Sequence, residues 1–330
     1  MLYFIDNKNN HDPYLNLALE EYCLRNVDIS KTYLLFYINE PSIIIGKNQN
    51  TLEEINHEYV RENNIKVVRR ISGGGTVYHD HGNLNFSFIT KYDPKHFNNY
   101  KEFTEPVIKA LKKLGVEAEL SGRNDILVDG KKISGNAQFT NKDRMFSHGT
   151  LLFNSAIDNV VAALNVKIGK IESKGIKSVR SRVTNISDYM SFKISTEEFK
   201  ETLLQSIFEE YESIPKHELT EKDWENVHKL ADSKYRTWDW NYGLSPKFNL
   251  QKTKRFAVGE IDIRFQVENG IIESIKIYGD FFGQNDVKEI EDLLLNVKYD
   301  YDSILEKLKT VDTSMYFGAI ELPELIEVFY

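Results

Sequence analysis

Among 330 residues there is one cysteine, Cys23, which excludes an internal disulfide and suits a reducing compartment. No apolar run reaches the roughly 18 residues that a membrane-spanning helix needs. The opening MLYFIDNKNNHDPY lacks the basic and apolar regions of a signal peptide, so the expected location is cytoplasmic, without a membrane partner. Positive charge is short as well: 42 Lys+Arg face 50 Asp+Glu, for a net charge of −8. That balance speaks against nucleic acid as a partner and makes any local basic cluster informative. The common phosphate motifs are missing too. No G-x-x-x-x-G-K-[ST] loop occurs, and the dinucleotide fingerprint fails at Tyr78, where its last glycine should stand.

What is present is ordinary globular composition, 41% hydrophobic, 12% aromatic and 28% charged. DPYLNLALEEYCLRN reads as a helix, capped by Asp12, with Pro13 first and Leu15, Ala18, Leu19 and Tyr22 as its apolar stripe. YLLFYI and PSIIIG read as buried strands. Thr51 and Glu54 form a capping box for a helix running through Ile55, Tyr59 and Val60. The helix EFTEPVIKALKKLG stops at Gly115, and ILVDGKKISGNAQF is a hairpin turned at Asp129-Gly130. MFSHGTLLFN is a further strand, and helices are expected near 155–164 and 196–212. The stretch 237–248 reads as a boundary. Beyond it come a hairpin turned at Asn269-Gly270 and helices near 286–296, 302–309 and 321–329. The expected organisation is α+β, with a large mixed-sheet domain at 1–245 and a small α+β domain at 246–330.

Three clusters carry candidate chemistry. RRISGGGTVYHDHGN (69–83) sets three glycines, each costing roughly 0.5–1 kcal/mol of order against alanine, between two strands. A glycine turn can present backbone N–H groups to an anion. Alternation puts Arg70 with Ser72, toward a ligand, and Arg69 on the other face, as a surface or ion-pair residue. In the second cluster Lys132, Ser134, Asn136 and Gln138 alternate with Ile133, Gly135, Ala137 and Phe139. A polar face of this kind reads as half-exposed strand, and its lysine makes it a candidate cleft wall; Lys131 falls on the opposite side. The third is a basic run, ESKGIKSVRSRVTN, with Lys174, Lys177, Arg180 and Arg182 as a solvated loop or a lid over polyphosphate. His79 and His81 could pair on zinc, but no further ligand has suitable spacing. Cys23 reads as a small buried hydrophobe.

Together NLALEE (16–21), IIIGKNQN (43–50), RRISGGGTVYHDHGNLNFSF (69–88), GRNDILVDGKKISGNAQ (122–138), HGTLLFN (148–154), KGIKSVRSRVTN (174–185) and WDWNYGLSPKF (238–248) resemble the bacterial two-domain lipoate–protein ligase A family. The resemblance implies a biotin/lipoate-ligase-type fold with an accessory domain, acting as a monomer. It implies two half-reactions: lipoate and Mg-ATP give lipoyl-AMP, and a lysine of an acceptor then takes the lipoyl group. Acceptors would be lipoyl domains of 2-oxoacid dehydrogenase E2 subunits or the glycine-cleavage H protein. Lys132 would be the central catalytic lysine. Nucleotide contacts would be Arg70, Gly75, Thr76, Val77, Tyr78, Asn83, Asp125, Lys174 and Arg180. Lipoate contacts would be Ser72, Gly73, Gly74, Gly75, Ser134, Gly135, His148 and Gly149. Asp125 would serve as a Mg2+ ligand or as the base for the acceptor amine. An ATP-independent lipoyl or octanoyl transferase on the same fold would carry a cysteine ahead of the lysine motif, where this chain reads GRNDILVDG. A non-catalytic adenylate binder would have lost Lys132 or the Arg70–Tyr78 segment.

Overall fold

The computed structural model describes residues 1–122, 124–164, 182–242, 249–268 and 270–330, except for the side chains at 52, 53 and 57. Lys174, Lys177, Arg180 and Asn269 lie outside the described residues, as does 243–248 of the expected boundary. The chain forms two compact units. The large one holds Met1–Ile44, Glu54–Arg69 and Val77–Asn241; the small one holds Ile45–Glu53, Arg70–Thr76 and Tyr242–Tyr330. Two short N-terminal segments therefore belong with the C-terminal part.

In the large unit, β1 (Leu2–Asp6), β2 (Thr32–Ile38), β6 (Asn83–Lys91), β10 (Arg144–Leu152), β9 (Lys131–Asn141), β8 (Asp125–Val128) and β7 (Glu119–Ser121) form one mixed sheet in that order. Only β1 and β2 run parallel; the other pairs are antiparallel. A second sheet has the order β4 (Lys66–Arg69), β3 (Ser42–Ile45), β5 (Val77–His79). The apolar runs at β2 and β3 are buried nearly throughout, as short β-branched and aromatic stretches without a polar face should be. On one face of the large sheet, Leu34, Phe36, Phe86 and Phe88 pack with Phe103, Val107 and Leu111 of α2 (Tyr100–Lys113) and Phe199 and Leu203 of α3 (Thr196–Ile207). The other face meets α1 (Pro13–Asn26), which the Asp12 side chain caps by accepting from Tyr14 N at 3.0 Å. Helix α1 is buried on nearly every side, Glu20 and Glu21 included, so the expected single stripe understates its burial.

Thr51 does not cap a continuous helix. One helical turn spans Thr51–Glu54, and a separate helix, His57–Glu62, starts after Asn56, whose side chain accepts from Tyr59 N. In the small unit β11 (Leu250–Phe256), β12 (Gly259–Glu268) and β13 (Ile271–Gly279) form an antiparallel meander. The helices α4 (Lys288–Leu294), α5 (Tyr301–Leu308) and α6 (Leu322–Phe329) close its core around Ile263, Phe265, Ile277, Leu294, Ile304 and Phe329. Both units mix antiparallel sheet and helix without a repeating βαβ order, which makes the fold α+β. No described helix is long and apolar enough to cross a membrane.

Candidate active site

The hairpin β8–β9 turns at Asp129 (φ 48°) and Gly130 (φ 72°), the paired positive angles that an Asp-Gly turn supplies. Its register then slips. Ile126 pairs with Ser134 but Leu127 pairs with Lys132, so Ile133 is an extra residue in a β-bulge. The bulge moves Lys132 off the face of Ser134, Asn136 and Gln138, contrary to the simple alternation. Its side chain lies across Gly135, where a Cβ would come within 3.1 Å of Nζ. There Lys132 Nζ meets Asp125 Oδ1 at 2.8 Å, both side chains being more than a third exposed. The lysine is held by one carboxylate in a solvent-open position, from which an anionic substrate can take it.

The polar set left behind is not half-exposed. Ser134, Asn136 and Gln138 are buried on the core face and bonded internally. Asn136 Nδ2 donates to Asn124 O (2.9 Å) and Ser134 Oγ (3.2 Å). Gln138 Nε2 donates to Ser147 Oγ (3.2 Å), while its Oε1 accepts from Asn98 N (2.7 Å). These side chains are therefore tied into the sheet, with Asn136 Oδ1 left without a hydrogen-bond donor among the described residues. Gly149 sits among them: a Cβ there would strike Asn136 Oδ1 and the Phe86 ring.

On the α1 face, His148 pairs across the sheet with Ser87 and Ala137. Its Nδ1 lies 2.9 Å from Glu20 Oε1, and both groups are nearly withdrawn from solvent. A buried carboxylate requires such a partner. In the sequence Glu20 stands out only as part of NLALEE (16–21), since Asn16, Glu21 and Arg25 share the helix with it. A second relay begins at a backbone carbonyl, which can only accept. Asn7 Nδ2 and Asn16 Nδ2 both donate to Asn10 O; Asn16 Nδ2 also donates to Asn39 Oδ1 (2.9 Å). Asn39 Nδ2 is thereby turned toward His79 Nδ1 (3.0 Å), which must accept, leaving the ring proton on Nε2. Asp80 accepts from Gly82 N and Ala156 N and organises the turn before β6. Asn83 is fully buried, and its Oδ1 accepts no hydrogen bond among the described residues. Tyr78 is buried, which pushes its phenol pKa up.

The glycine segment belongs to the small unit. Arg70 is 7% exposed and encloses the segment: Nε donates to Ser72 Oγ (3.0 Å), and Nη2 to Gly73 O (2.7 Å) and Gly75 O (2.8 Å). Thr76 Oγ1 donates to Gln49 Oε1 (2.8 Å), which also accepts from Gly46 N (2.9 Å). Close approach explains two of the glycines. A Cβ on Gly73 would fall 2.7 Å from Phe281 O, and one on Gly74 (φ +92°) 2.8 Å from the Phe282 ring. Around Gly75 there is open space, so its side is accessible. Nearby, Lys47 Nζ meets Asp286 Oδ2 at 3.1 Å, and Gly279 N donates to Asn48 O at 2.7 Å. Arg69, by contrast, is a clamp in the large unit, with Nε donating to Trp240 O at 3.0 Å.

Cys23 is completely buried, and burial together with the Asp223 and Glu20 carboxylates pushes its thiol pKa far up. It has no thiolate character to offer as a nucleophile. Among the described residues no three His, Cys, Asp or Glu side chains are grouped to hold a metal ion.

This architecture matches two family models. The lipoyl protein ligase A/B catalytic domain covers residues 12–208, and the bacterial lipoate protein ligase C-terminus covers residues 245–329. The chain belongs to the lipoyl protein ligase family defined by these models. It is 60% identical over 329 residues to lipoate-protein ligase LplJ of Bacillus subtilis, spanning 99% of each chain. It is 54% identical over 325 residues to lipoate–protein ligase 1 of Staphylococcus aureus, spanning 98% of this chain and 99% of that one. Among solved structures, P. falciparum LipL1 in complex with lipoate aligns at a TM-score of 0.80 and 28% identity, over 94% and 95% of the two chains. A Thermoplasma acidophilum bipartite lipoate protein ligase, studied with its E2 lipoyl domain, aligns at 0.67 and 31%, over 74% of this chain and 97% of that one. A lipoate-protein ligase A bound with ATP aligns at 0.62 and 30%, over 74% and 98%.

Proposed function

We propose that this chain is an ATP-dependent lipoate–protein ligase in which Lys132 serves both half-reactions. The observation that carries this reading is the Lys132–Asp125 pair: the Ile133 bulge turns Lys132 onto the face of Asp125 and Gly135, where both side chains are partly open to solvent. In the first step a lipoate carboxylate oxygen attacks the α-phosphorus of ATP, the bond to the β-phosphate oxygen breaks, and pyrophosphate leaves. Both reactants are anionic. A lysine already oriented by Asp125 can exchange that carboxylate for the gathering anions and stabilise charge on the phosphoryl oxygens. In the second step an acceptor lysine amine attacks the acyl carbon of lipoyl-AMP, the acyl–oxygen bond breaks, AMP leaves, and the amine's proton passes to the Asp125 carboxylate or to water. Lys132 polarises the mixed anhydride as it is attacked.

Backbone N–H groups of Ser72–Gly75, held in shape by Arg70, cover the lipoyl and phosphate groups and exclude water from the anhydride. Asn83 Oδ1, a buried acceptor without a described donor, suits the amino group of adenine. Magnesium enters with ATP as part of the substrate. It takes most of its ligands from phosphate and water, so one protein carboxylate, Asp125, suffices; its contribution is to offset phosphate charge. The acceptors are lipoyl domains of E2 subunits or the H protein. The test is intact-mass measurement of each purified lipoyl domain after incubation with the enzyme, ATP and lipoate. A lipoyl adduct must form with ATP and disappear without it.

A further inference from the structure

Arg69 is the final residue of the edge strand β4, immediately before the chain enters the glycine segment, and Asn241 is the final residue of the large unit. These two exits are tied together. Arg69 N donates to Asn241 Oδ1 (2.9 Å), and Arg69 O accepts from Trp240 Nε1 (2.7 Å). Arg69 Nε and Nη2 donate to Trp240 O (3.0 Å) and Asn241 O (3.3 Å). The anchor is itself rooted. Asn241 Nδ2 donates to Tyr235 O (2.7 Å) and Thr237 O (3.0 Å), and Tyr235 Oη donates to the buried Glu21 of α1 (2.5 Å). Lys234 spans Glu21 Oε2 (2.7 Å) and the Trp240 ring (4.1 Å to its centre).

An edge strand leaves backbone groups to be satisfied from outside its sheet. Here an amide side chain and an indole take the place of a neighbouring strand for Arg69. Tying both N–H and C=O of one residue restricts its φ and ψ, and so the direction in which the next residue departs. That next residue is Arg70, whose guanidinium shapes the segment from Ser72 to Gly75. We infer that Trp240 and Asn241 are positioning residues for lipoate binding: acting through Arg69, they fix the strand end from which the glycine segment is presented. The inference rests on the proposed role of that segment as a substrate-binding element.

Trp240→Phe tests it, because phenylalanine keeps an aromatic face and removes the indole N–H. The readouts are KM for lipoate and kcat in lipoate-dependent pyrophosphate release, with the thermal midpoint, and Arg70→Lys is measured in parallel. Expected for Trp240→Phe is a rise in KM of roughly fivefold, the effect of one lost hydrogen bond, with kcat within about twofold and the midpoint within a few degrees. An unchanged KM beside a raised KM for Arg70→Lys overturns the inference, whether or not the midpoint falls. An unchanged KM in both variants overturns the substrate-binding role of the glycine segment, and the inference with it.

Discussion

Arg70 and Lys132 are cations assigned to the same reaction, and among the described residues they are held in opposite ways. Arg70 is buried and forks across three oxygens of its own loop. Lys132 is open to solvent and has one exchangeable carboxylate. A planar, permanently charged guanidinium suits the fixing of shape, and a flexible point charge suits changing partners as charge moves. If that contrast is right, damage at Lys132 affects chemistry and leaves the fold intact. Lys132→Ala is expected to lower the rate of pyrophosphate release on the order of 10²–10³-fold. The thermal midpoint should be retained, because an exposed ion pair contributes little to stability. Undiminished pyrophosphate release would remove Lys132 from the centre of the mechanism.

The converse test is in the small unit, where shape is the issue. A Cβ on Gly46 would collide with the backbone oxygen of Gly74. Backbone cannot swing aside as a side chain can, so Gly46→Ala is expected to cost about 3 kcal/mol. Urea unfolding would show it, and a stability equal to the parent would mean that the packing of Gly46 on Gly74 is not retained in solution. A third variant concerns Glu21, buried in α1 of the large unit. Burial pushes the Glu21 pKa up, but the charge of Lys234 and the hydrogen bonds from Lys234 and Tyr235, with Arg25, outweigh it, and the net shift is downward. The stabilisation is therefore full above the unfolded value of about 4.3 and is lost as pH falls through the lower folded value. Glu21→Gln is expected to cost about 2 kcal/mol at pH 7 and to lose less on passing from pH 7 to pH 4. An identical pH slope in parent and variant would count against it.

The elements readable from sequence were those settled by local chemistry. Asp12 before Pro13, the apolar runs of β2 and β3, and Asp129-Gly130 each carry their cause within a few residues. The site was readable only as residue types. The alternation from Lys132 to Gln138 is unbroken in sequence, and the bulge that reverses Lys132 becomes visible only when β9 is paired with β8. Ser134, Asn136 and Gln138 read as solvated because their partners, such as Asn98 and Ser147, lie elsewhere in the chain. Arg69 and Trp240 are 171 positions apart, and Glu20 and His148 are 128 apart. Periodicity is silent about pairings at that range.

The smallest expected effect belongs to the one residue that could have supported a different chemistry. An ATP-independent transferase needs a cysteine that can reach an acyl donor as thiolate. Cys23 faces neither solvent nor a cation, and its surroundings, burial first and then two carboxylates, disfavour the thiolate at any physiological pH. Its side chain contributes packing, so Cys23→Ala should lose about 1 kcal/mol of stability. ATP-dependent lipoylation in the folded enzyme should stay within about twofold of the parent. The decisive readout is lipoyl transfer with and without ATP in both proteins. An inactive Cys23→Ala enzyme of parental stability would mean that the helix opens to expose a nucleophile, and the assignment of the chemistry to Lys132 and the adenylate would fall with it.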